Sequence, residues 1–168
     1  MNKKTLIKLL RKALMYRVSA KLDIYTKQFG CSDKEISERM GMSSNWLNDV
    51  KNNTEDITIS SLARFFSVIY EGSPQEKFNI DSSIHKTVSN EDLLFYFFDQ
   101  KILAIAGLIN EIYDETTESS FVRIIRTDMT LYADLKSDWG GLTNKKKLSS
   151  EEVETMNRLK ELIEGVEN

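Results

Sequence analysis

Apolar residues recur along this chain at steps of three and four, the period of one helical face. Over residues 2–28 they fall at Leu6, Leu9, Leu10, Ala13, Leu14, Val18, Leu22 and Tyr25, which predicts one long helix. Shorter helices are predicted over Asp33–Met40, Ser44–Asn52 and Thr58–Tyr70, the last with a Leu62, Phe65, Phe66, Ile69 face. The polar run Asn52-Asn53-Thr54-Glu55-Asp56 is a loop, and residues 71–90, with Gly72, Ser73, Pro74, Asp81, Ser82 and Ser83, hold the best linker candidate. Beyond it, a helix from Glu91 to about Asp114 is apolar on nearly every face, as in a helix central to a bundle or an oligomer interface. Its Phe95, Tyr96, Phe97, Phe98 run reads as core rather than as a ligand box. The next helix is predicted from Ser119 or Ser120 to about Ser137, ended by Trp139-Gly140-Gly141. Ser149 with Glu152 opens the last. Its Val153, Met156, Leu159, Ile163, Val166 stripe is narrow enough to pack on one partner helix, within the chain or across a dimer. The expected fold class is all-α: an N-terminal domain over 1–72, a linker over 73–89 and a small helical domain over 90–168.

The stretch DKEISERMGMSSNWLNDV, Asp33 to Val50, has the spacing of a helix-turn-helix. Ile36 and Met40 share one face of a first helix, and Leu47 and Val50 share the facing side of a second. Gly41 sits where a short turn needs positive φ. Ser37 is small where the two helices must cross. Ser32 and Glu35 form a capping-box pattern, and Ser43 can cap the second helix.

Charge sharpens the division of the chain. The formal net charge is −3. Residues 1–72 carry 12 Lys/Arg and 8 Asp/Glu, net +4, whereas residues 73–168 carry 11 and 18, net −7. A basic half can meet phosphate, and an acidic half faces something else. Eight cations crowd the first helix (Lys3, Lys4, Lys8, Arg11, Lys12, Arg17, Lys21, Lys27) against one acid, Asp23. They read equally as a solvated face and as phosphate contacts. Cys31 is the single cysteine, which excludes an internal disulfide and fits a reducing cytosol. The start lacks the unbroken apolar core of a signal peptide, and no run of about 18 apolar residues suggests a membrane span. His85 is the only histidine and falls in the linker. No metal-ligand spacing, glycine-rich phosphate loop or nucleophile motif stands out, so neither an enzyme, a metal nor a cofactor is expected. Asp114, Glu115 and Glu118 read as solvated acids.

From about Lys27 to Tyr70 the chain resembles the Cro/XRE-like repressors of phages and bacteria, on the spacing above, Gly41, and ITISSLARFFSVI as a following helix opened by Thr58. Three positions depart from the usual pattern. Ser37 stands for a common alanine, Asp33 for a glutamine that touches backbone phosphate, and Trp46 for a small polar residue. The resemblance implies that the second helix lies in the major groove of double-stranded DNA. Ser43, Ser44, Asn45, Asn48, Asp49 and Asn52 would then face the DNA and Lys51 a phosphate. Asn can bond adenine at two atoms, Asp can accept from cytosine N4, and Ser can serve base or phosphate. Trp46 is read as packing against the first helix rather than wedging on the DNA backbone. One such module buries limited surface. A homodimer on a palindromic operator, its half-sites about 34 Å apart, is therefore expected.

Size, domain order and the ending SSNWLND also resemble phage type II-A anti-CRISPR proteins that carry a fused N-terminal helix-turn-helix autorepressor domain. That resemblance implies repression of the protein's own promoter in the cytoplasm of a bacterial host. It also implies inhibition of Cas9, or of the Cas9–guide RNA complex, by the second domain. An acidic domain suits the positively charged nucleic-acid channels of Cas9. The alternative is a plain phage or mobile-element repressor whose second domain only dimerises or binds a regulatory protein.

Overall fold

A computed structural model of the chain describes residues 2–52, 57–71, 97–114 and 118–165. The linker with His85, the start of the predicted 91–114 helix with Phe95 and Tyr96, the polar loop 53–56, and Val166 lie outside the described residues. Among the described residues the fold is all-helical, with eight helices. They are α1 (Lys3–Phe29), α2 (Asp33–Arg39), α3 (Trp46–Lys51), α4 (Ile59–Glu71), α5 (Gln100–Asp114), α6 (Glu118–Thr127), α7 (Met129–Asn144) and α8 (Ser150–Glu164). No described helix is long and apolar enough to cross a membrane.

The chain forms two compact units, one of residues 18–99 and one of residues 1–17 with 100–168. These differ from a grouping into 1–72 and 90–168, because α1 contributes to both. The reason lies in its apolar face. Leu6, Leu9, Leu10 and Ala13 belong to the core built by α5–α8.

In the central unit, residues 18–99, α2 packs against α3 and α4. Val18, Leu22 and Tyr25 of α1 are buried, as are Ile36, Met40, Leu47, Val50, Leu62, Phe65, Phe66 and Ile69. Tyr25 and Phe97 each meet Phe66 nearly edge to face, with ring centroids 5.7 and 5.2 Å apart. Phe97 is fully buried, which fits the core role expected of it.

In the terminal unit, residues 1–17 with 100–168, α6 packs on α7 and α8, and α5 on α7. The sequence predicts one helix from Ser119 to Ser137, but the structure has two. Asp128 caps the N-terminus of α7 by accepting from the Leu131 N–H at 2.9 Å, which ends α6 at Thr127. Trp139-Gly140-Gly141 does not end a helix either. All three residues lie inside α7, Trp139 is fully buried, and Gly141 lets Tyr16 pack against its backbone. The helix expected over 91–114 is also interrupted, since Phe98 and Asp99 are not helical and α5 begins at Gln100. The stripe of α8 packs within the chain, with Met156, Leu159 and Ile163 buried in the core and Val153 against it. Its capping box forms as expected between Ser149 and Glu152.

Candidate nucleic-acid interface

The geometry around α3 begins with α2. Ser32 accepts from the Glu35 N–H, and the Glu35 carboxylate accepts from the Ser32 N–H at 2.8 Å. The reciprocal bond holds the Glu35 carboxyl below its ordinary value, with the Ser32 backbone the largest cause. Gly41 turns the chain with φ +70°, a left-handed conformation that costs a side-chain-bearing residue about 1 kcal/mol or more. Its N–H donates to Glu38 O at 3.0 Å, and Met42 N–H donates to Ser37 O at 2.9 Å, closing the turn.

Ser37 proves more than a small residue at a crossing. It is fully buried, its hydroxyl donates to Asp33 O at 2.7 Å, and it accepts the Leu47 N–H at 3.1 Å. One hydroxyl of α2 therefore satisfies a first-turn amide of α3. The expected start of this helix at Ser44, capped by Ser43, is corrected. The helix begins at Trp46, its N-cap is Asn45, and Asn45 makes no side-chain cap bond. At the other end of α3, Val50 O accepts from the buried Ser19 hydroxyl of α1 at 3.1 Å.

Held this way, α3 has two faces. Trp46, Leu47 and Val50 are buried. The burial of Trp46 matches its reading as a packing residue. Ser43, Ser44, Asn45, Asn48 and Asn52 are exposed. The Asn52 amide nitrogen donates to Asn48 O at 2.8 Å and to Asn48 Oδ1 at 3.1 Å, so the two amides are linked along one ridge. Asp49 is half-buried and engaged in an interaction.

Lys51 stands apart from the ridge. Its ammonium donates to Asp33 at 2.6 Å and to Asp23 at 3.1 Å, and the side chain is only 13% exposed. In this fold it ties α3 to α1 and α2. Asp33 meets a cation of its own chain, and the Asp23 carboxyl is held below its ordinary value, first by the Lys27 hydrogen bond and then, against burial, by Lys51. Among the described residues, the exposed cations of this unit are Lys27, Lys34, Arg39 and Arg64. Sequence reasoning did not single out Lys34, Arg39 or Arg64. Residues 18–99 together carry eight Lys/Arg against thirteen Asp/Glu.

The basic residues of α1 divide along the same line. Lys12 donates to Glu152 at 2.6 Å, Lys8 lies 3.6 Å from the same carboxylate, and Arg17 donates to Asp138 at 2.6 Å. Burial pushes the Glu152 carboxyl up, but the Lys12 hydrogen bond, the Ser149 N–H and the charges of Lys12 and Lys8 bring it below its ordinary value. Asp138 goes the other way. Burial outweighs Arg17 and lifts its pKa to about 6. The first-helix cations read equally as a solvated face and as phosphate contacts; these three, together with Lys21 on Asp99 at 2.8 Å and Lys27 on Asp23, instead meet carboxylates of the same chain.

No protein-family model, no curated protein and no solved structure matches this chain.

Proposed function

We propose that this chain is a sequence-specific DNA-binding repressor that reads a palindromic operator as a homodimer through α3. The observation that carries the reading is the two-faced α3. Ser44, Asn45, Asn48 and Asn52 project as an exposed polar ridge, while Trp46, Leu47 and Val50 anchor the helix from behind. Amide side chains are suited to base edges in the major groove, where asparagine bonds adenine at two atoms. The Asn52–Asn48 link restricts the Asn48 side chain before DNA arrives. Phosphate attraction falls to the exposed Lys34, Arg39 and Arg64 rather than to Lys51 or Lys27, which meet Asp33 and Asp23.

Inhibition of Cas9 by the second half is the companion proposal, and its electrostatic support is narrower. Within the terminal unit, residues 100–168 carry 9 Lys/Arg and 13 Asp/Glu, net −4, and residues 1–17, with six cations and no acid, more than offset them. Among the described residues of that unit, no other feature favours a nuclease partner over dimerisation alone.

Selection of bound duplexes from a random-sequence library by the full-length chain tests the DNA reading. Enrichment of an inverted repeat, lost on Asn45→Ala or Asn48→Ala, supports it, and a library that stays random removes it. Target cleavage by a type II-A Cas9–guide complex is measured beside it. Inhibition that persists in the two Asn variants would assign a second activity to the rest of the chain. Unaffected cleavage would leave the plain repressor.

A further inference from the structure

A second charged feature lies in the terminal unit. A cavity of about 720 Å³ opens beside the first three turns of α1, lined by Lys3, Lys4, Ile7, Lys8, Arg11 and Tyr113. That volume lies within the ordinary range of ligand-binding clefts, about 300–1,000 Å³. Lys4, Lys8 and Arg11 are spaced by four and three residues, so they follow one stripe of the helix at intervals of about 5–6 Å. Lys8 keeps 64% of its side chain exposed, because Glu152 beneath it is already held by Lys12 at 2.6 Å. Opposite the cations stands Tyr113, 55% exposed, an aromatic ring left in water beside a row of positive charge. The wall is fixed in place. The Lys3 ammonium donates to the Tyr113 carbonyl at 2.8 Å, tying the last turn of α5 to the first turn of α1.

The geometry points to this groove as a binding site for single-stranded nucleic acid, its bases stacking on Tyr113 and its phosphates running along Lys4, Lys8 and Arg11. A stripe of cations beside an exposed aromatic ring is the combination that single strands use. The backbone follows the charge, and any base offers a face to the ring. Duplex DNA keeps its bases paired and stacked inside, so it would use the cations and leave Tyr113 idle. The groove shares no residue with the α3 ridge.

Fluorescence anisotropy of a labelled twelve-residue oligothymidylate with full-length protein reads this out. Tyr113→Ala is expected to weaken binding about 5- to 150-fold, the range for losing one base–aromatic stack, and Tyr113→Phe to restore it. Lys4→Ala is expected to flatten the log–log salt dependence by about 0.7, the loss of one single-strand phosphate contact. Asn48→Ala leaves binding unchanged, and helical thermal melts show that each variant is folded. Absence of binding by the unaltered chain overturns the inference. So does equal binding by Tyr113→Ala, which reduces the groove to nonspecific charge, and so does loss of binding in Asn48→Ala, which moves the strand to α3.

Discussion

Replacing Ser37 by alanine tests the joint between α2 and α3 with the loss of one oxygen. The hydroxyl accepts the Leu47 N–H at 3.1 Å and donates to Asp33 O at 2.7 Å, and both Ser37 and Leu47 are fully buried. No water can replace the lost acceptor at such a site. Removing a cap costs about 0.5–2 kcal/mol, and leaving a buried donor unpaired costs about 1–3 kcal/mol. These describe the same loss and are not added. Two smaller effects oppose it. Alanine is the better helix former by up to about 0.5 kcal/mol, and the bond back to Asp33 O slightly strains α2 and is removed at little cost. The net expectation is destabilisation by about 1–1.5 kcal/mol, a fall in melting temperature of about 2–6 °C for a chain of this size. Melting followed by helical circular dichroism measures it. A melting temperature equal to or above that of the unaltered chain refutes the argument that the Ser37 hydroxyl satisfies the first turn of α3.

Other substitutions probe the terminal unit. Glu152→Ala removes the Lys12 pair at 2.6 Å and the bond to Ser149 N–H at 2.7 Å, and is expected to cost about 2–4 kcal/mol in urea unfolding. Because the folded state lowers the Glu152 pKa, its contribution is present above about pH 4.5 and is lost as pH falls, so the variant is less acid-sensitive than the unaltered chain. Asp138 has the opposite sign: with a folded pKa near 6 against 3.8, the folded state binds the extra proton, and stability declines as pH rises through that window. Asp138→Asn should remove this decline from a series of urea midpoints between pH 4 and 7. Gly141→Ala would set a Cβ 2.5 Å from the Tyr16 hydroxyl, which itself lies on a ring that Lys145 approaches at 5.0 Å. The substitution is expected to be neutral or destabilising alone and stabilising by about 1 kcal/mol in a Tyr16→Ala background. Additive effects in that double-mutant cycle would remove the packing explanation for the glycine.

The helical periods, both capping boxes, the turn at Gly41 and the buried faces of α2, α3 and α4 were legible in the sequence because each depends on residues within a few positions of one another. Ser32 reaches Glu35, and Ile36 reaches Met40, whatever the rest of the chain does. What escaped reading depends on residues far apart. Gly140 and Gly141 look like a helix stop unless Tyr16, more than a hundred positions earlier, is known to occupy the space beside Gly141. Asp128 could have been read as a cap, since an Asp before an apolar-periodic run is a start signal, but the apolar pattern on either side concealed the break. Ser37 carried a signal as well. A hydroxyl at a crossing that needs only small volume suggests a hydrogen bond across it, although its partner, Leu47, follows only from the fold.

Charge counted along the chain was the least faithful guide, for a physical reason. A count measures what is available for pairing, whereas a partner meets only what the fold leaves unpaired. The surplus of cations in α1 and the surplus of acids after residue 100 look like two surfaces of opposite sign. In the terminal unit part of each set is spent on the other: Lys12 holds Glu152, with the exposed Lys8 at 3.6 Å from the same carboxylate, and Arg17 holds Asp138 and Asp134. Lys51, which the resemblance implies would meet a phosphate, is likewise engaged by Asp23 and Asp33. Few described cations therefore remain near α3 to release counterions from DNA, and each is worth at most one phosphate in the salt dependence. If α3 reads DNA tightly, most of its free energy has to come from base edges, DNA shape and the doubling of contacts in a dimer. That shifts the burden of specificity onto Asn45, Asn48 and Asn52, three neutral side chains that a charge count does not register.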